Sequence, residues 1–219
     1  MKGPVITPDQ IKPLLETPFL RVGDIQYADG KHYYTATRRP LNELTAARPE
    51  ADFLRMAPDA VTCIVIVRTP ECAPRLLLTR EYRYPAGRFL LSPPAGLIDP
   101  DDLSAERPAL ATALREIAEE TGISARPSRL EEVSPLLFST PGMTDESNAL
   151  VLAVYDLPDL SQLNQKGAVG SECFDGFRLL TCPEAADVLR RGRDEEGHFF
   201  SVYTWAALTW FVSGLWESA

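Results

Sequence analysis

Phe19 to Tyr27 and Lys31 to Arg38 are rich in aromatic and β-branched residues and flank Asp29-Gly30, a dipeptide that supplies the positive φ angles of a tight hairpin. The pattern predicts two antiparallel strands. From Pro40 to Pro58 the chain turns polar, and Asn42 to Arg48 reads as a short helix or as linker. Val61 to Val67 is a β-branched run, as expected of a strand buried on both faces. Arg75 to Tyr82, Asn148 to Asp156 and Phe174 to Leu180 are further strands. One amphipathic helix ends at Gly122, with Leu110, Ala113, Leu114 and Ile117 on its apolar face. Its start falls within 104–107, because Ser104 is a good N-cap whereas Pro108 is best tolerated in the first turn. Pro183 to Arg191 and Phe199 to Trp216 supply two more helices. Strands and helices interleaved in this way predict an α/β fold, a sheet sandwiched by helices, behind a small β-domain of the first fifty-odd residues.

Composition narrows the chemistry. With 22 Lys+Arg against 31 Asp+Glu the formal charge is −9, which argues against nucleic acid, since a phosphate-reading surface needs a basic stripe. Only two histidines are present, His32 and His198, and neither lies near a G-x-S-x-G turn or an H-E-x-x-H pair. Both read as surface or packing residues. Cys63, Cys72, Cys173 and Cys182 form no C-x-x-C pair, so they read as reduced thiols of a cytoplasmic protein. Met1 to Gln10 lacks the apolar stretch of a secretory signal. Phe199 to Trp216 carries no charge, yet it contains Ser201, Thr204, Thr209, Ser213 and Gly214 and no basic anchor at its C-terminal end. It reads as a buried helix, not a membrane span.

Arg115-Glu116-Ile117-Ala118-Glu119-Glu120-Thr121-Gly122-Ile123 is the informative stretch. On a helix Glu116, Glu119 and Glu120 stand at i, i+3 and i+4 and share a face, opposite Leu114 and Ile117. Taken alone, that is compatible with a solvated acidic surface. Upstream, however, Pro93-Pro94-Ala95-Gly96-Leu97-Ile98-Asp99 is an apolar turn whose glycine lets backbone approach the helix face. Oxygen ligands without His or Cys suit Mg²⁺ or Mn²⁺, and such a site shares its coordination with substrate phosphates. The expected chemistry is metal-assisted hydrolysis of a phosphoanhydride.

Gly96 followed by Arg115-Glu116-Ile117-x-Glu119-Glu120-x-Gly122-Ile123 resembles the Nudix box, G-x5-E-x7-R-E-U-x-E-E-x-G-U with U apolar. The pattern has thirteen positions between its glycine and arginine, whereas this chain has 97–114, an insertion at Pro100 to Ser104. The leading glutamate then falls on Arg107, and Glu106, Asp101 or no residue takes its place. Glu81-Tyr82-Arg83-Tyr84-Pro85, Pro94 to Asp99, and Ser139-Thr140-Pro141-Gly142-Met143-Thr144-Asp145-Glu146 are similar to the ADP-ribose pyrophosphatase branch. The resemblance covers roughly residues 18–180.

It implies a Nudix α/β/α sandwich with a mixed sheet over residues 58–219, behind an N-terminal antiparallel β-domain, 1–57, that serves dimerisation and base binding. It further implies Mg²⁺, with Mn²⁺ as a substitute, held by Glu116, Glu120, Glu119 and the Ala95 carbonyl, with Arg115 orienting the carboxylates. A glutamate on a later loop would position the attacking water. Glu172, in Gly167-Ala168-Val169-Gly170-Ser171-Glu172, fits that role, the two glycines letting the loop move, and Asp175 is the alternative. Arg83 and Arg39 would contact phosphate, Phe19 and Tyr34 would sandwich the base, and Glu146 would reach the ribose or a metal. The implied activity is hydrolysis of ADP-ribose to AMP and ribose 5-phosphate by a cytoplasmic homodimer. Another nucleoside diphosphate sugar such as GDP-mannose is the alternative substrate, and a non-catalytic sensor is a third reading.

Overall fold

The computed structural model describes residues 3–217. Met1 and Lys2 of the N-terminal stretch, and Ser218 and Ala219, lie outside the described residues. The chain divides into two compact units, one running to Asp59 and including Leu136–Asn148, the other comprising Ala60–Pro135 and Ala149 onward.

The first unit holds a three-stranded antiparallel sheet of β1 (Ile11–Glu16), β2 (Arg21–Ala28) and β3 (Lys31–Thr37), in that order. The β2–β3 hairpin turns at Asp29-Gly30 as predicted, with Gly30 at φ +62° and Ala28 opposite Lys31. The 40–58 stretch is more than linker. It forms two short 3₁₀ turns and α1 (Glu50–Phe53), and it buries Leu44 against Ile11 and Ile25. Residues 136–148 join this unit through backbone and side-chain bonds: Ala36 N–H donates to the Met143 carbonyl at 2.9 Å, and the Tyr33 hydroxyl to Gly142 at 2.8 Å.

The second unit is organised by a larger sheet. It contains β4 (Ala60–Thr69), β5 (Cys72–Arg83), β6 (Arg88–Ser92), β7 (Ala95–Leu97), β8 (Arg129–Phe138), β9 (Ser147–Asp156) and β10 (Phe174–Leu180). The main path runs β10-β5-β4-β9-β8, with β6 added to β5 and β7 to β4. Strand β5 is antiparallel to β4, β6 and β10. Asp59 N–H bonds to the Ser147 carbonyl, and Leu157 N–H to the Arg68 carbonyl, so β4 and β9 run in the same direction and the sheet is mixed. Both central strands are apolar and almost wholly buried, as a doubly covered strand must be.

Helix α2 (Pro108–Thr121) covers one face: Ala113 and Ile117 pack with Val61, Cys63, Val65 and Leu77. The intervening β4 residues Ile64 and Ile66 are equally buried, and α3 (Cys182–Arg191) and α4 (Val202–Val212) pack on β5 and β4 respectively. Helix α2 starts later than 104–107, because Ser104 closes a separate 3₁₀ turn, its hydroxyl bonded to the Asp101 carbonyl, and Pro108 takes the first helical position. Helix α4 is shorter than 199–216, because the Leu91 N–H draws Phe199 into extended pairing and Ser201 caps the helix. Among the described residues no helix is long and apolar enough to cross a membrane.

Candidate metal centre

Helix α2 does not present its carboxylates to solvent as an amphipathic count suggests. Glu116 is 5% exposed and Glu120 3%, on the buried face with Ala113 and Ile117, whereas Leu114, expected in the core, is 37% exposed. Glu119 stays at the rim, partly exposed. The reason lies in β7. Its register with β4, Thr62 opposite Ala95 and Val61 opposite Gly96, holds the Ala95-Gly96 backbone against the helix, and a side chain at 96 would collide with the Glu116 carboxylate.

Glu120 Oε1 accepts a 3.3 Å bond from the Ala95 N–H. Its Oε2 is buried and has no hydrogen-bond partner. Burial pushes Glu120 up to about 9, with Glu81 adding to the effect, and pushes Glu116 up to about 7 against the opposing pull of Arg115. In each case the surrounding protein disfavours the charged form, which a bound cation would favour.

Arg115 bridges the rim. Its Nη1 donates to Glu116 at 2.8 Å and to Glu119 at 3.2 Å. Its Nη2 donates to the Leu97 carbonyl at 3.0 Å and to Asp102 at 2.9 Å. Asp102, rather than Asp101 or Glu106, is therefore the carboxylate that the insertion supplies to the arginine. Its Oδ2 also accepts from the Thr112 hydroxyl at 2.9 Å and the Asp99 N–H at 3.2 Å, and these bonds hold its carboxyl below the usual carboxylate range despite desolvation.

Two acids complete the cluster. Glu81, on β5, shares a strand face with Leu77 and Thr79, and Leu77 packs beneath α2. Burial raises its pKa, while Arg83, 2.6 Å away, opposes the shift. Glu172 acts electrostatically on Glu81, Glu116 and Glu120. Its loop is bonded to its surroundings, the Tyr82 N–H of β5 donating to the Cys173 carbonyl at 2.8 Å. Asn164 N–H bonds to the Thr121 carbonyl at the end of α2, and the Val169 N–H donates to Glu172 Oε2 at 2.8 Å. Gly167, expected to confer movement, instead lies against the Glu119 backbone, where a side-chain carbon would come within 2.4 Å of the carbonyl oxygen. Asp175 is exposed, and its carbonyl accepts from Arg80 Nε.

The other candidates lie in the first unit. Arg39, expected at a phosphate, is buried. Its guanidinium pairs with Asp59 at 2.7 Å and Asp145 at 3.8 Å and donates to the Ala57 carbonyl and the Ser147 hydroxyl, so its donors are turned inward to structural partners. Glu146 is paired with Arg38. Phe19 and Tyr34 are well exposed, and Tyr34 stacks with His32 at 6.3 Å between ring centroids.

The donor set fits a hard divalent cation: carboxylates only, one with an unpartnered buried oxygen, beneath a glycine that leaves room for another. Arg115 occupies the space between Glu116 and Glu119, and among the described residues no three His, Cys, Asp or Glu side chains are gathered as a ready-made cage. An open, shared site of this kind suits an ion that keeps waters and substrate oxygens in its shell.

The sequence model of a family described as "NUDIX domain" matches residues 56–202. An ADP-ribose pyrophosphatase of Saccharomyces cerevisiae is 32% identical over 101 residues, 45% of this chain and 40% of that protein. An ADP-sugar pyrophosphatase of Mus musculus is 30% identical over 133 residues, 61% and 56% of the two chains. The chain spans between 33% and 56% of the length of the curated relatives it matches. A solved structure described as "Crystal structure of ADP compounds hydrolase" superposes with a TM-score of 0.53, covering 94% of this chain and 90% of that one at 18% identity, a likeness of fold.

Proposed function

The chain belongs to the Nudix family, and on that footing we propose that it hydrolyses the diphosphate of ADP-ribose to AMP and ribose 5-phosphate. The observation that carries the reading is the buried Glu116–Glu120 pair beside Ala95 and Gly96, with one carboxylate oxygen left unpartnered. Those carboxylates, with Glu119 and the Ala95 carbonyl, would hold Mg²⁺, or Mn²⁺ in its place. A bound divalent ion supplies neutralisation of phosphate charge and a more acidic water. Asp102 anchors Arg115, and Arg115 orients Glu116 and Glu119. Glu172 takes the proton of the attacking water as its oxygen bonds to phosphorus and the phosphoanhydride bond breaks. Arg83, held by Glu81 at the edge of the carboxylate cluster, steadies a phosphate oxygen.

The relatives named for ADP-ribose and ADP-sugars support the substrate class. Exposed Leu14, Leu15 and Phe19, in and beside β1, support a homodimer formed through the first unit, since an edge strand bearing apolar side chains invites a partner. Four free cysteines support a cytoplasmic setting. A panel of ADP-ribose, GDP-mannose, NADH, diadenosine polyphosphates and nucleoside triphosphates with Mg²⁺, read as phosphate released after phosphatase coupling, tests the substrate. ADP-ribose should give the highest kcat/KM; preference for any other compound overturns the assignment.

A further inference from the structure

Strand β10 contains a bulge. Phe174 pairs with Glu81 and Phe177 with Thr79, so Asp175 and Gly176 together face the single residue Arg80. A bulge of this kind locally disrupts the ladder and leaves backbone groups to be satisfied by other partners. Arg80 Nε takes the Asp175 carbonyl at 2.7 Å. The Gly176 backbone is met by a side chain from eleven residues earlier: Gly176 N–H donates to Gln165 Oε1 at 2.9 Å, and Gln165 Nε2 donates back to the Gly176 carbonyl at 3.4 Å. The carboxamide thus imitates a strand partner and closes residues 165–176 into a loop.

That loop carries Glu172. Within it Gly167 rests on the Glu119 backbone, and Glu172 folds back onto the Val169 N–H. Just before the closure, Asn164 is bonded to the last turn of α2. The loop is therefore fixed at α2 on one side, and on the other at β5, where the Tyr82 N–H donates to the Cys173 carbonyl at 2.8 Å, and at the bulge, where Gln165 closes it.

We propose that Gln165 is a positioning residue: by clasping the bulge at Gly176 it holds residues 165–171 in place and, together with the Tyr82–Cys173 bond that follows, keeps Glu172 turned to the α2 carboxylates. The inference rests on Glu172 serving the reaction as proposed above. The loop is preformed, and the clasp removes the need to order it at each turnover.

The test compares the full chain with Gln165→Leu, which lacks both hydrogen bonds, Gln165→Glu, which keeps the acceptor for Gly176 N–H, and Gly167→Ala, whose added carbon would press on the Glu119 carbonyl. Amide hydrogen exchange, melting temperature, Mn²⁺ affinity by electron paramagnetic resonance, and kcat and KM on the preferred substrate are measured. In Gln165→Leu the amides of 166–173 should exchange at least about 10-fold faster, and kcat should fall about 10- to 100-fold, as for a misplaced reacting group. KM and Mn²⁺ affinity should be unchanged. Gln165→Glu should recover most of the rate, and Gly167→Ala should lose rate with the clasp still protected at Gly176. Unchanged exchange in Gln165→Leu, or faster exchange with unchanged kcat, overturns the proposal. So does a joint fall of kcat, Mn²⁺ affinity and melting temperature, which would mark Gln165 as a general structural residue. A wild-type protein that hydrolyses nothing in the panel overturns the reading of function as well; an active wild type with an unaffected Gln165→Leu variant overturns only the clasp.

Discussion

The Glu116 carboxylate occupies the volume that a side chain on residue 96 would need: a Cβ placed on Gly96 falls 1.9 Å from Glu116 Oε1. Strand β7 cannot retreat, because Gly96 is registered opposite Val61 and the neighbouring Cys63 N–H is bonded to the Pro94 carbonyl at 2.8 Å. Gly96→Ala should therefore displace the glutamate rather than the strand. Overpacking of this kind typically costs about 1–3 kcal/mol. A Mn²⁺ titration should show weakened binding alongside a modest drop in melting temperature; affinity equal to wild type would contradict the packing argument.

Buried carboxylates make the protein's stability depend on pH in an unusual sense. Burial raises Glu116 to about 7 and Glu120 to about 9, whereas both sit near 4.5 in the unfolded chain. Between those values the folded state binds more protons than the unfolded state, so in EDTA this contribution to stability declines as pH rises through about 7 and then about 9. Mg²⁺ should restore it at pH 8. Glu120→Gln imitates the protonated acid, so it should flatten the decline between pH 7 and 9 and abolish the response to Mg²⁺. It should also lower kcat by more than about 100-fold, because even outer partners of a metal site cost roughly 10- to 100-fold when removed. Melting curves across pH 6–9 with and without Mg²⁺ check each point.

Asp102 gathers three donors on one oxygen, and one of them is the arginine that holds two α2 carboxylates. Asp102→Ala should leave α2 folded yet loosen Arg115. We expect Mn²⁺ affinity to fall about 10- to 100-fold by calorimetry. An equivalent loss in Glu106→Ala would show that the insertion supplies its carboxylate elsewhere.

Arg39 distinguishes a structural arginine from a phosphate ligand. Its removal strands Asp59, whose pKa burial already raises, beside Asp145. Breaking a buried pair by deleting one partner costs about 3–5 kcal/mol. Arg39→Ala should shift the denaturant midpoint accordingly; an unshifted midpoint with a raised KM would return Arg39 to the substrate.

Elements with a strong period were legible from sequence: the β2–β3 hairpin, β4, β5, β9, β10 and the body of α2 all fall close to their expected places. Strand β1 is hidden because Pro13 interrupts it and every side chain after Ile11 is exposed, so it has no alternation to read. In β8 the charged Arg129, Glu131 and Glu132, with Pro135, mask a strand that is half-buried except at Glu132 and Pro135. Three-residue β7, immediately behind Pro93-Pro94, exists only by pairing with β4.

At the site, the carboxylate spacing was legible but its burial was missed, although Glu116 and Glu120 stand three and seven residues after Ala113 and so share the stripe that Ala113 and Ile117 bury. Glu81 did leave a signal: on β5 it has the parity of Leu77 and Thr79, which places it on the face that α2 covers. Asp102 left none, since the geometry of an inserted 3₁₀ turn is set by what it packs against.

The bond that registers the Glu172 loop to α2 joins residues far apart in the chain, Thr121 with Asn164. The approach of Glu81 to Glu120 and of Gly96 to Glu116 is likewise non-local. Contacts of long sequence separation form late, because chain closure must precede them. During refolding, helix α2 should thus gain its backbone structure well before it gains any affinity for a cation, and metal uptake becomes a clock for the last docking of strands, helix and loop.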